Sequence, residues 1–344
     1  MGAGLSRGGR AREAMDQRVL ITGATGFLGQ EVARRLVARA GVHLRALVRS
    51  DDAAQPLADL GVEIHPGDLR ETTSLAGAAR GIDLVIHLAA VHRGGNLRRT
   101  DFWQVNSEGT KRLLQEAVRA GVRRFVYVST AGVLGNVRPN RLGTEADAAK
   151  PRDLYEVTKW RGEQAVRRIA HSDGLEAVIV RPAAVYGPGE RRFLKLFRPI
   201  ARRRFVVIGS GEHRLHFIHV ADAAEGILAA AMSPDARGET FLLADSSPIR
   251  IGDLVRLVAS ALGVPPPSLR IPYAPVYALA LACEGLCRPF GLAPPLYRRR
   301  LAFFGTERAY STRKLAEVTG FRARTELATG IPELAAWYRA EKLL

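Results

Sequence analysis

The 344-residue sequence predicts an α/β protein, a doubly wound parallel sheet joined to a smaller, mainly helical part. Three observations carry that expectation. Short β-branched apolar runs recur through the first half, stretches of helical spacing separate them, and a glycine-rich turn follows the first run. The runs are continuous rather than alternating, which is how strands covered on both faces read.

In order, the runs are RVLIT (18–22), HLRALV (43–48), VEIH (62–65), DLVIHLA (83–89), RRFVYVST (123–130) and EAVIVRP (176–182). Between them, 26–39, 102–120 and 155–170 carry apolar residues three and four apart, as crossover helices lying on a sheet require. After Pro182 the rhythm breaks: proline and glycine become frequent, and the strand-like FVVIG (205–209) and FLLAD (241–245) flank a helix at 220–232. Further helices are expected at 251–262, 276–287, 312–319 and 327–343, joined by proline-rich loops such as 264–267. Residues 17–182 thus read as the sheet domain, with 216–245 returning to it. Residues 183–215 and 246–344 form the second, substrate-binding part. The Gly- and Arg-rich stretch 1–16 reads as a disordered tail, and Met15 is a second candidate start.

Composition resembles that of ordinary soluble enzymes, with 47% hydrophobic and 25% charged residues; the net charge of +17 is what stands out. Its basic residues form short scattered clusters (Arg34-Arg35, Arg98-Arg99, Arg202–Arg204, Arg298–Arg300), which argues against a dedicated nucleic-acid surface and suits solvated faces or an anionic ligand. Two cysteines, Cys283 and Cys287, stand one helical turn apart in an apolar segment, a spacing that suits burial and a reducing, cytoplasmic setting. The opening MGAGLS fits the loose myristoylation pattern, and no apolar run reaches the roughly 18 residues of a membrane span.

In RVLITGATGFLG, Gly23, Gly26 and Gly29 follow a strand and open a helix, the context in which backbone N–H groups hold a pyrophosphate. The alternative is a tight strand–helix turn and nothing more. Where NAD-binding chains place an acid for the ribose hydroxyls, this one has Val48-Arg49-Ser50; Arg49 suits a 2′-phosphate and tilts the expectation toward NADP(H) over NAD(H).

The ordered series TGATGFLG (22–29), GDL (67–69), HLAA (87–90), VNSEGT (105–110), FVYVST (125–130), YEVTK (155–159), RPAAVYGPG (181–189) and HVAD (219–222) resembles the extended short-chain dehydrogenase/reductase family, in its epimerase/dehydratase and 3β-hydroxysteroid dehydrogenase branch. That resemblance implies a Rossmann-type cofactor domain, with Thr25, Phe27 and Leu28 joining the glycines around the phosphates. It implies that Asp68 and Leu69 flank the adenine, that Leu88, Ala89 and Ala90 lie along the middle of the cofactor, and that Pro182 faces the nicotinamide. It also implies homodimers through the helices near Phe102 and Tyr155.

Tyr155 and Lys159 stand four apart on one helix face and so can meet one ligand. A phenol near pKa 10 is a poor base at neutral pH, and an adjacent ammonium favours its phenolate. Thr130, matched by resemblance, is the candidate donor to the substrate oxygen, with Ser129 beside it; alternation sends the two to opposite faces without saying which points inward. Asn106 either supports the site or bonds to nearby backbone. His216 and His219 have metal-like spacing, but no carboxylate or cysteine at suitable intervals, and no metal is expected. His219 reads as orienting the turn before a helix, and His87 as a strand-end contact.

Two reactions compete. A dehydrogenase or reductase of a bulky apolar alcohol or ketone, similar to 3β-hydroxysteroid and 4-carboxysterol dehydrogenases, is favoured by IPYAPVYALALACEGL (271–286), which suits an apolar pocket or membrane-surface contact, although a plain packed helix explains it equally well. It is also favoured by LHFIHVAD (215–222), where Leu215 replaces the arginine that sugar-nucleotide relatives use on the diphosphate. A nucleotide-sugar epimerase or dehydratase stays open if Arg214 or Arg298–Arg300 compensates. A non-catalytic NADP-sensing protein is the third reading, opposed by the intact Tyr155 and Lys159.

Overall fold

The computed structural model describes residues 16–49, 51–92, 97–290, 292 and 294–344; the expectations for the tail and for Met15 fall outside them. Seven parallel strands form the main sheet: β1 (Gln17–Thr22), β2 (Val42–Val48), β3 (Glu63–Pro66), β4 (Leu84–His87), β5 (Arg124–Val128), β6 (Glu176–Pro182) and β7 (Thr240–Leu243). Their order is β7-β6-β5-β4-β1-β2-β3, so the chain reverses direction across the sheet between β1 and β4. In doubly wound sheets that reversal opens a ligand crevice at the carboxyl ends of the strands.

Both sheet faces are covered, which is why the strands read as unbroken apolar runs. Val19, Ile21, Ile86, Val126 and Val178 pack on α1 (Phe27–Val37) and on α7 (Val220–Met232) through Val32, Leu36, Ala224 and Ile227. Leu20, Val85, Phe125, Tyr127 and Ile179 pack on the opposite face against Leu113, Leu114, Ala165 and Val166. These belong to α4 (Thr110–Arg119) and α5 (Leu154–Asp173). The helix expected over 102–120 is α3 (Arg99–Trp103) running into α4 through a π-helical stretch, Gln104–Gly109. The π turn lies against the GDL loop, where a Cβ on Gly109 would meet Leu69 Cβ at 2.8 Å.

A separate core in the second part joins Tyr186, Phe197, Phe217, Val258, Leu334 and Tyr338. It is built on α6 (Leu194–Ala201), α8 (Ile251–Leu262) and α12 (Leu327–Ala340). The Asp222 carboxylate accepts the N–H groups of Arg324 (3.1 Å) and Thr325 (2.7 Å), tying the approach to α12 onto α7. The strand expected at 205–209 shrinks to Val207–Ile208, paired with Arg270–Ile271. Just beyond lies α9 (Tyr273–Cys287), three residues longer than expected because Pro275 falls in its first turn, where no helical N–H is lost. Among the described residues no helix is long and apolar enough to cross a membrane.

Candidate active site

At the end of β1 the glycines divide their work. Gly23 holds φ +77°, and a Cβ there would lie 2.7 Å from Ala89 N; at Gly29 it would lie 1.9 Å from Gly23 O. These two are needed for the turn to close on the β4 loop and for α1 to sit down on it. Gly26 differs: its Cβ would meet only Gly23 O at 3.3 Å, so its far side is open. The first turn of α1 has no side-chain cap and no acid. Its amides, at Phe27 through Gly29, are therefore left for an anion. A groove of about 450 Å³ lined by Thr25, Phe27, Gln30, Arg34, Pro188 and Gly189 adjoins them, and the carboxylate in its lining, Glu31, is paired with Arg34 and Arg35. A diphosphate fits this chemistry.

Beside it, Gly67 N–H reaches Val48 O at 2.9 Å, bringing the GDL loop against the end of β2. The Asp68 carboxylate is held below its usual range by hydrogen bonds from Arg70, with the field of Arg49 adding to them. Arg49 itself is exposed, and Leu69 is buried. Leu88 and Ala89 are tied to β1 by Thr22, whose carbonyl and hydroxyl accept their N–H groups at 3.1 and 3.2 Å. Ala90 follows them, half-buried, and Pro182 ends β6, buried beside β7.

Asp153 caps α5, its carboxylate accepting Glu156 N–H at 2.9 Å. Tyr155 lies half-buried in the first turn; Lys159, one turn on, is 1% exposed with its ammonium 4.1 Å from the centre of the Tyr127 ring. Burial pulls Lys159 down from 10.5 to about 7, and Glu163 one turn further opposes that fall. Glu163 is already engaged by Arg181 through two bonds of 2.9 and 2.7 Å, a buried pair joining α5 to β6.

Thr130 stands two residues beyond β5 and caps the short turn Ala131–Leu134, its Oγ1 accepting Gly132 N–H at 3.1 Å while its own proton stays available for donation. Gly132 presses against Glu156, where a Cβ would stand 2.9 Å from Oε1, so this turn abuts the first turn of α5. Ser129 points inward, buried, with its hydroxyl unpartnered among the described residues. Thr130 is the half-exposed member, which is the assignment strand alternation left open.

Asn106 bonds across space, not locally: its Oδ1 accepts Val91 N–H (2.7 Å) and its Nδ2 donates to Val91 O (3.0 Å) and to Thr158 Oγ1 (3.1 Å). It thereby clamps the loop after β4 to α5 beside Tyr155. That loop delivers a residue that no sequence pattern marks. The His92 ring meets the Tyr155 ring edge-on at 4.5 Å, and its Nε2 lies 3.3 Å from Arg192 Nη1. A lone histidine in a loop carries no spacing signal.

His87 is a strand-end contact, between Thr22 Oγ1 (2.6 Å) and Thr110 Oγ1 (3.0 Å), with burial and then Lys159 driving it well below its usual range. His219 caps α7, accepting Ala221 N–H at 3.4 Å. Each of the two histidines nonetheless meets a carboxylate: His216 Nε2 is 3.0 Å from Asp245, and His219 Nε2 is 3.3 Å from Glu333. The partners come from distant segments, where local spacing does not reach. Leu215 is buried, Arg214 pairs with Glu307, and Arg298 pairs with Glu284 at 2.8 Å.

Residues 19–244 match the model of the NAD dependent epimerase/dehydratase family. Among curated relatives, the chain is 32% identical over 325 residues to a 4-hydroxy-2-methyl-3-oxo-4-farnesyl-3,4-dihydroquinoline-1-oxide ketoreductase of Stigmatella aurantiaca, covering 92% of this chain and 95% of that one. It is 32% identical over 335 residues to a ceramide reductase of Caulobacter vibrioides, covering 94% of each. Among solved structures, gox2253 superposes with a TM-score of 0.82 at 31% identity, covering 96% of this chain and 99% of its own.

Proposed function

We propose that this chain, which belongs to the NAD dependent epimerase/dehydratase family, interconverts a secondary alcohol and a ketone on a bulky apolar substrate. The family makes it an oxidoreductase using a nicotinamide nucleotide. The observation that carries the apolar substrate is the Leu215 position. A buried leucine stands where sugar-nucleotide relatives place an arginine, and of the arginines that could compensate, Arg214 and Arg298 are engaged by Glu307 and Glu284. A diphosphate-bearing sugar would find no free guanidinium among these two. The Stigmatella ketoreductase and the Caulobacter ceramide reductase, whose names specify a farnesylated ring and a ceramide, agree with that chemistry.

In this reading the nicotinamide supplies or takes the hydride. Tyr155 gives its phenolic proton to the substrate oxygen in reduction and takes it back in oxidation. Lys159 as ammonium stabilises the phenolate left behind. Thr130 donates its remaining hydroxyl proton to the same oxygen, holding it in place as charge develops. Arg49, exposed at the end of β2, supports a preference for NADP(H), since a 2′-phosphate would meet its guanidinium there while the neighbouring Asp68 carboxylate is engaged by Arg70.

The test is turnover of NADPH and NADH by purified protein with long-chain ketones, sterol ketones and nucleotide sugars. Net NADPH oxidation with an apolar ketone, lost in Tyr155→Phe, is the expected result. Conversion of a nucleotide sugar without net redox change would overturn the substrate class, and undiminished turnover in Tyr155→Phe would overturn the proton role.

A further inference from the structure

Helix α9 presents a markedly apolar surface among the described residues. It runs 15 residues, about 22 Å, and Ala280 alone among them is fully buried. Leu279, Leu281 and Leu286 are 62%, 49% and 71% exposed, and the segment after the helix adds Phe290 at 77% and Leu292 at 63%. In a chain that is 25% charged, the helix holds one charge, Glu284, and Arg298 already neutralises it. The outward face therefore offers water leucine, alanine, Pro275, Gly285 and the Tyr277 ring. A packed core helix would hide such a face, and a solvated helix would carry lysine and glutamate on it.

The flank of this face is basic. Arg270, exposed, sits on the two-residue strand that leads into α9, and that strand pairs with Val207–Ile208. Arg202, Arg203 and Arg204, all exposed, immediately precede that pairing. Gly209 lies against Tyr273, so the arginine run and the start of α9 occupy one end of the second part.

We propose that α9, together with the Phe290 and Leu292 side chains, docks on an anionic phospholipid surface, the leucines entering the acyl boundary while Arg202–Arg204 and Arg270 meet lipid phosphates. Exposed leucines supply apolar area to bury and the flanking cations attract acidic headgroups, the two contributions on which peripheral membrane binding scales. This is peripheral docking. The surface does not depend on the reaction proposed above, and a Tyr155→Phe protein should bind as the wild type does.

Cosedimentation of the full chain with vesicles of phosphatidylcholine alone, and of equal parts phosphatidylcholine and phosphatidylglycerol, tests it. The protein should pellet with the anionic vesicles, less so as salt rises. Leu281→Glu with Leu286→Glu should weaken partitioning at least tenfold on both. Arg202→Ser, Arg203→Ser and Arg204→Ser together should weaken it on the anionic vesicles alone. The rise in melting temperature on adding NADPH or NADH, retained in both variants, confirms that the sheet domain is folded. Wild-type protein left in the supernatant with both vesicles, or a leucine variant that pellets undiminished, would overturn the proposal. So would a salt-independent dimer in sedimentation that the leucine variant dissolves, since a second copy would then cover the face.

Discussion

Lys159→Met separates catalysis from stability, because the structure asks this one side chain to be buried for the sake of the site. Its amine, sealed beneath α5, falls from 10.5 to about 7. Holding it as ammonium in the folded protein therefore costs on the order of 5 kcal/mol, at about 1.4 kcal/mol for each tenfold change in proton affinity. Methionine has a similar length and no charge. Against that gain stands the lost contact with the Tyr127 ring, about 1–2 kcal/mol. The variant should thus be about 3 kcal/mol more stable at pH 6, a rise of about 4 °C if unfolding entropy is near 0.7 kcal/mol/K for a chain of this size.

The sign with pH follows from proton binding. Between about 7 and 10.5 the unfolded lysine carries a proton that the folded one has released, so wild-type stability rises with pH across that window. Its deficit relative to Lys159→Met widens as pH falls from 9 to 7 and is level below 7. Urea denaturation of both proteins from pH 6 to 9, without nucleotide, measures this directly. Ketone reduction by the variant should meanwhile fall about 100-fold or more, because the Tyr155 phenolate loses its counter-charge. A variant less stable than wild type, or a difference that does not change with pH, would refute the reasoning.

Arg49→Ser should raise the KM for NADPH about tenfold or more while leaving that for NADH within about twofold, read from paired initial-rate titrations. Glu163→Gln strips the buried Arg181 guanidinium of its carboxylate and should cost about 3–5 kcal/mol, seen as a lowered urea midpoint. His92→Ala removes the ring against Tyr155 and should lower kcat about tenfold with little change in KM, whereas His92→Phe, which keeps an aromatic edge at 4.5 Å, should recover most of the rate. Gly29→Ala places a methyl 1.9 Å from Gly23 O and should abolish the nucleotide-dependent rise in melting temperature.

How far these features could be read in advance follows from the range of the interactions that create them. Strand runs and the glycine turn are local, and the runs are unbroken because helices cover both faces, so they were legible to within a residue or two at most edges. Three helices were not. Asp51–Ala58 and Leu194–Ala201 contain Pro56 and Pro199, which read as breakers, and Arg298–Gly305 begins with three arginines that gave no apolar period. The π stretch at Gln104–Gly109 was invisible because one inserted turn leaves the flanking periodicities intact. Tyr155 and Lys159 were legible as neighbours on one helix, but the partners that set their behaviour were not. Tyr127 and His92 arrive from other strands and loops.

The segment 271–286 shows the limit most plainly. Its apolar composition supported a pocket wall, a membrane contact and a packed helix with equal force, since each asks only for an uncharged run. What distinguishes them is the amount of protein lying over the helix, a property of the rest of the fold. The structure removes the packed-helix reading by leaving Ala280 as the only fully buried position. The one charge in the run, Glu284, is engaged by Arg298. An ion pair that shields a single carboxylate on an otherwise bare helix is hard to account for as packing. On a helix meant to leave water it has a clear consequence, because an unpaired carboxylate carried into the acyl boundary would cost several kcal/mol and hold the whole face at the surface.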